Sequence, residues 1–191
     1  TSYEESVLKA GVYGARVAEY NDSFQTVMRR YVKGDGCMVG EFFHYMMRNS
    51  EKLAKINYVA DHNGFSLYDV YAYDRKHNEA NGEDNRDGAE YNHSWNCGEE
   101  GETKKKKIIQ FRAMMRKNLL ATVLLAQGTP LFMAGDEFGH TKQGNNNAYC
   151  QDNEISWLKW KLNKEKKEQL EFVKTLIAFR KAHPVLHNER P

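Results

Sequence analysis

Three short apolar segments, each followed by a segment of helical periodicity, restrict this chain to few architectures. Residues 16–20 (RVAEY), 56–60 (INYVA) and 129–134 (TPLFMA) read as strands. The second is a continuous, partly β-branched apolar run, the pattern of a strand covered on both faces in a parallel sheet, and the third is a further buried strand. Residues 21–32 place Phe24, Val27, Met28 and Tyr31 on one helical face behind Asn21 or Asp22 as cap, and Gly34 and Gly36 end the pattern. Shorter helices are expected over 41–47 and 65–73. Residues 108–127 carry a broad apolar face that includes Phe111, Met115, Leu119 and Val123, closed by Gly128. Residues 166–182 align Leu170, Val173, Leu176 and Ile177, with Pro184 beyond. Strand–helix alternation repeated in this way predicts an α/β fold on a parallel sheet.

Length limits how much of such a fold is present. A closed (β/α)8 TIM barrel takes about 250 residues, and this chain has 191, read as a single segment 1–191. It opens on Thr1 rather than Met, and a processed or excised piece is the expectation. No apolar run reaches the ~18 residues of a membrane span and TSYEESVLKAG has no secretory pattern, so a cytoplasmic protein without a membrane partner is expected. A net charge of +2 without a basic stripe gives no reason to expect nucleic acid. Cys37, Cys97 and Cys150 are too far apart in sequence for a CxxC metal site, and nucleotide, esterase and metalloprotease motifs are absent; no cofactor and no metal are expected.

Chemistry concentrates at strand ends. Residues 56–60 run into Asp61-His62-Asn63-Gly64, where carboxylate, imidazole and amide supply the mixed donors and acceptors that sugar hydroxyls need. An ordinary turn, with Asn63-Gly64 chosen for its backbone conformation, fits the spacing equally well. Asp136 and Glu137 end the third strand, but neighbouring side chains on extended backbone point to opposite faces, so they cannot jointly flank one bond; capping of the next turn is the favoured reading. Residues 74–104 form a long inserted loop without hydrophobic periodicity, far beyond a median connection of about 4 to 6 residues. Its Tyr91, His93 and Trp95 argue against a disordered linker. Trp95, Trp157 and Trp160 suit sugar stacking and core packing alike.

Within that loop, 77–88 (HNEANGEDNRDG) followed by 94–98 (SWNCG) closely resembles the isoamylase-type glycogen debranching enzymes of glycoside hydrolase family 13, in the alpha-amylase superfamily. AEYNDSF…VMRRYVKGD, INYVADHNGFSLYD, NLLATVLLAQGTPLFMAGDEFG and TKQGNNNAYCQDNEISWLKW agree in the same order, so the resemblance runs from about residue 16 to 185. It implies a (β/α)8 barrel of which 16–20, 56–60 and 129–134 are the sixth, seventh and eighth strands, a partial barrel of three βα units. It also implies hydrolysis of α-1,6 branch linkages in glycogen or a related α-glucan by a retaining mechanism, with a nucleophile and an acid about 5 to 5.5 Å apart. In the family those two carboxylates come from the fourth and fifth strands, which this chain lacks.

A third catalytic aspartate of the family follows the seventh strand in a His-Asp-Gly motif, matched here by His62-Asn63-Gly64. His62 fits the substrate-binding histidine; Asn63 stands at the catalytic position, and Asp61 lies two residues earlier, where the family usually has a small residue. The residues expected to face the glucan are therefore Asn63, Asp61, His62, His77, Asn78, Asp136 and Glu137. An amide carries no charge for the oxocarbenium-like transition state, and loss of such a group costs on the order of 10² to 10³ in rate. The expected partners are an α-glucan and either the missing N-terminal barrel half or a second copy, because unpaired strand edges invite pairing. A non-catalytic α-glucan-binding or assembly module is the alternative.

Overall fold

The computed structural model describes residues 18–48 and 54–187. Three strands, β1 (Ala18–Tyr20), β2 (Ala54–Asn57) and β3 (Thr129–Pro130), form a parallel sheet in the order β1-β2-β3. Tyr20 pairs with Ile56, and Ile56 with Thr129. The parallel arrangement is as expected, but the strands overlap the expected runs only in part: β2 starts two residues before Ile56 and ends at Asn57, β3 covers the first two residues of 129–134, and residues 16 and 17 lie outside the described residues. The ladders are shorter than the apolar runs: Leu131 still donates to the Asn57 carbonyl (2.9 Å), but Tyr58, Val59 and Ala60 continue beyond the ladder as buried backbone. A side chain takes over there, since Nε of the buried Arg29 donates to the Val59 carbonyl at 2.7 Å.

Helix α1 (Asp22–Lys33) starts where Asn21 accepts from the Phe24 amide (3.2 Å) and ends at Gly34, whose φ of 96° is a left-handed cap that glycine adopts without steric cost. Helix α2 (Val39–Met47) begins two residues earlier than its periodicity suggests. Helix α3 (Leu67–Val70) is a single turn where 65–73 was expected to be helical. The reason lies in competing donors: Trp95 N–H takes the Val70 carbonyl (2.9 Å) and Gly101 N–H takes the Ala72 carbonyl (2.7 Å), so the long loop consumes the acceptors that further turns require. Helices α4 (Lys106–Leu125) and α5 (Lys164–Ala182) fall close to their expected positions. The order is β1-α1-α2-β2-α3-α4-β3-α5, so helices cross over between successive parallel strands.

One core joins α1, α3 and α4 to the backbone leaving β2: Phe24, Met28, Phe65, Leu67, Leu119 and Leu120 are wholly buried in it. Each such side chain contributes roughly 1.5 to 3 kcal/mol by leaving water. Two arginines fasten the periphery. Arg112 is 1% exposed on α4 and donates to the carbonyls of Gly101 (2.6 Å), Asn96 (2.8 Å) and Glu99, closing the long loop onto the helix. Arg180 on α5 donates to Leu124 (2.9 Å), Ala126 (2.7 Å) and Gly128 (2.6 Å), satisfying carbonyls that the end of α4 leaves without partners.

Candidate functional site

Because the strands are parallel, the segments leaving their C-terminal ends emerge on one side of the sheet. Two of these, and the long loop beyond α3, are tied together. Gly64 N–H donates to the Asn146 carbonyl (2.8 Å) and Lys142 Nζ to the Gly64 carbonyl (2.7 Å), which joins the turn after β2 to the loop after β3. His77 N–H donates to the Gly144 carbonyl (2.7 Å), bringing in the long loop. Asp69 completes the junction from α3, accepting from Lys142 N (2.8 Å) and from the Thr141 and Ser66 hydroxyls (2.5 and 2.9 Å). Burial pushes the Asp69 carboxyl up to about 6 despite those donors.

Amide side chains do most of the stitching. Asn78 is wholly buried; its Nδ2 donates to Asn146 Oδ1 (2.8 Å) while its Oδ1 accepts from Asn146 N (2.9 Å). Asn81 donates to Asp87 (2.7 Å) and to the Asn147 carbonyl (2.9 Å), and accepts from Asn145 and Gln151 (both 2.8 Å). Bonds from the Asn81 and Asn147 amides hold the Asp87 carboxyl below the usual carboxylate range. Sequence reasoning assigned no role to Asn81, Asn145, Asn146, Asn147 or Gln151. The available signal was the run Asn145-Asn146-Asn147 together with the recurring Asn78, Asn81, Asn85 and Asn92: amides in two stretches that can satisfy each other.

The residues expected to face a glucan separate into two groups. His62 and Asn63 are exposed, and the Asn63 carboxamide makes no hydrogen bond among the described residues; its backbone N–H donates to Asp61 Oδ1 at 3.0 Å. The Asp61 side chain is only 12% exposed, against 76% for His62, and His62 Nδ1 stands 4.0 Å from Asp61 Oδ2. Burial raises the Asp61 carboxyl, opposed by His62, the Asn63 amide and Arg29. His77 is half-buried, its Nε2 3.2 Å from Glu100 Oε1 and its ring edge-on to Tyr73 at 5.3 Å.

Asn78 and Asp136 lie away from that exposed pair. Asn78 is the buried tie just described. Asp136 is wholly buried, with Oδ1 accepting from the Leu67 amide (2.9 Å) and Oδ2 from that of Met133 (3.3 Å). It caps the first turn of α3 from across the fold, and burial pushes it up to about 7. A sugar reaches neither residue without displacing these bonds. Glu137 is turned locally, accepting from Gly135 N at 2.7 Å. Of the tryptophans, Trp95 packs edge-on to Phe111 (5.4 Å), while Trp157 and Trp160 are exposed.

Arg29, which sequence reasoning passed over, spans the site from below. Its Nη1 donates to the Asn92 carbonyl (2.8 Å), so one cation links α1, the backbone after β2 and the long loop; burial lowers it to about 10. Among the described residues no cluster of three or more His, Cys, Asp or Glu could hold a metal ion, and no helix is long and apolar enough to cross a membrane.

An exposed imidazole and amide at a strand end, on loops locked from beneath, can bind hydroxyl groups. No family model matches the chain. Curated relatives do match. It is 40% identical to the "Glycogen operon protein GlgX homolog" of Mycobacterium tuberculosis over 97% of its own length and 27% of the relative's. It is 41% identical to the "Glycogen debranching enzyme" of Serratia proteamaculans, over 95% of this chain and 28% of that one. For "Isoamylase 1, chloroplastic" of Oryza sativa the identity is 38%, over 86% and 21%. Among solved structures, pullulanase from Bacillus acidopullulyticus superposes with a TM-score of 0.63 at 19% identity over 90% of this chain and 19% of that one, which shows a shared fold. Type I pullulanase from Bacillus subtilis, complexed with maltose, also gives 0.63, at 24% identity over 90% and 23%. The chain thus spans about a quarter of the length of the curated relatives it matches. With about 40% identity sustained over nearly all of its own length, the chain is homologous to a segment of the isoamylase-type glycogen debranching enzymes.

Proposed function

We propose that this chain supplies the sixth, seventh and eighth βα units of the catalytic barrel of a cytoplasmic α-glucan debranching hydrolase, acting on α-1,6 branch linkages by the retaining route. The observation that carries the reading is the three-stranded parallel sheet in chain order, whose end displays His62-Asn63-Gly64, in a chain about 40% identical to proteins named glycogen debranching enzyme. On this reading His62 and Asn63 hold hydroxyls of the glucosyl ring at the scissile bond. The amide network fixes the floor on which they stand, so little reorganisation accompanies binding. The nucleophile and the general acid belong to strands outside this segment, and the chain alone is inactive. The two outer strands, β1 and β3, each leave an edge unpaired among the described residues, which suits association with the remaining barrel or with a second copy.

A second reading, a non-catalytic α-glucan-binding or assembly module, is favoured by one observation: Asn63 occupies the position where the family carries a charged side chain. Supplying this chain together with the missing barrel segment and measuring reducing ends released from a branched dextrin separates the two. Turnover by the pair, and none by the chain alone, supports the hydrolase. Maltooligosaccharide binding seen by calorimetry without turnover, unchanged in Asn63→Asp, supports the module. Robust turnover by the isolated chain overturns the assignment of the nucleophile and acid to another segment.

A further inference from the structure

Asparagine followed by glycine is chemically labile, because an unbranched neighbour lets its backbone nitrogen reach the asparagine side chain. The chain contains two such dipeptides, Asn63-Gly64 and Asn81-Gly82, in opposite settings. Asn63 is exposed, its carboxamide makes no hydrogen bond among the described residues, and nothing lies within 4 Å of the position a Gly64 Cβ would occupy. Asn81 is held at both ends of its amide by Asp87, Asn147, Asn145 and Gln151. The glycine amides do not distinguish the two sites, since Gly64 donates to the Asn146 carbonyl (2.8 Å) and Gly82 to that of Glu79 (3.2 Å). The freedom of the side chain does.

We propose that Asn63-Gly64 is a self-processing site whose deamidation places a carboxylate at the one strand-end position where an uncharged amide stands at the family's catalytic aspartate. The Gly64 nitrogen bonds to Asn63 Cγ, the Cγ–Nδ2 bond breaks, and ammonia leaves with the proton the glycine amide gives up. Water then opens the five-membered imide at one of its two C–N bonds. One opening yields aspartate at position 63; the other yields isoaspartate, with the chain rerouted through the side chain. The net change is one water consumed and one ammonia released, with no redox partner. The functional consequence, though not the reaction, rests on the debranching reading: aspartate at 63 restores the charge at the transition state and isoaspartate displaces it.

Peptide mapping of the folded chain aged at mildly alkaline pH tests this. The mass change of NH2 replaced by OH is expected at 63 at least ~30-fold ahead of 81, the factor that four hydrogen bonds at the weak end of the ordinary range impose on Asn81. In denaturant the two sites are expected to convert at similar rates, and Asn63→Gln is expected to stay unmodified at 63. Conversion of 81 at or before the rate of 63 in the folded chain, or no conversion at 63 while the denatured chain reacts, overturns the proposal. With the companion barrel segment present, activity is expected to grow with the aspartate fraction in the native sample and not in Asn63→Gln. Mapped conversion at 63 together with an inactive Asn63→Asp enzyme upholds the site and overturns the debranching reading instead.

Discussion

Replacing Asp136 by Asn isolates a carboxyl that the fold makes expensive to ionise. Asp136 is wholly buried, its two oxygens engaged by the amides of Leu67 and Met133, and burial raises it from 3.8 to about 7. A carboxyl with a raised folded pKa binds its proton more tightly in the native state. Its stabilising contribution is therefore whole below about pH 4, falls as pH rises, and is gone above about 7. A shift of about three pKa units corresponds to up to ~4 kcal/mol at 1.36 kcal/mol per unit. The absolute pH profile does not report this alone. Asp69, raised to about 6, adds to the slope, whereas His140, lowered to about 4 by burial, opposes it because stability from a depressed histidine grows as pH rises. The informative quantity is the difference between wild type and Asp136→Asn in urea unfolding from pH 4 to 8. Asparagine is isosteric and does not titrate, so that difference is expected to move in favour of the variant by up to ~4 kcal/mol across the range. A difference that stays constant with pH would falsify the claim that the buried carboxyl is strained by ionisation.

Other perturbations follow from single contacts. Arg180→Met keeps most of the side-chain volume but strips three carbonyls at the end of α4 of their donor, and is expected to lower unfolding free energy by ~2 to 4 kcal/mol in chemical denaturation. Gly144→Ala puts a Cβ 2.7 Å from Tyr73 Cδ1 and 2.9 Å from His77 Cδ2 at a φ of +79°, so a loss of ~1 to 3 kcal/mol is expected, read as a lower melting temperature. His62→Ala removes an exposed side chain; calorimetry is expected to show weaker maltooligosaccharide binding with the melting temperature unchanged. In the assembled enzyme, Asn63→Asp is expected to raise turnover on a branched dextrin by about 10² to 10³, and unchanged turnover counts against a transition-state role for this position.

The scaffold was readable wherever local rules decided it. Asn21 before the apolar stripe of α1 and Gly34 after it are the cap and stop that the structure uses. Reading failed where partners come from far along the chain. Nothing local to 65–73 shows that Trp95 and Gly101 take the carbonyls that helix α3 would need. Nothing local to Asp136 shows that the amide it caps belongs to Leu67, 69 residues away. The same limit separates Asn78 from His77: adjacent in a motif, one is wholly buried under the loops and the other half-exposed, because the amide has a complementary amide at Asn146 to bury against.

Asp61 invites the reading that it stands in for the missing carboxylate at 63, since two residues along extended backbone return to the same face. The geometry argues against it. Past Asn57 the β2 ladder ends, and by Asp61 the chain is turning, with Asp61 Oδ1 accepting from Asn63 N–H. That bond turns one side chain in and leaves the other out: Asp61 is 12% exposed while Asn63 faces solvent. Asp61 lies within electrostatic reach of Arg29 and Asp22, and burial raises its pKa. A carboxyl that is easier to protonate, with one oxygen already committed to backbone, is poorly suited to hold a sugar hydroxyl by charge. The strand end therefore keeps a negative group that organises the turn and leaves an uncharged one exposed, so on the proposed reading any charge facing the glucan has to arise at Asn63 itself.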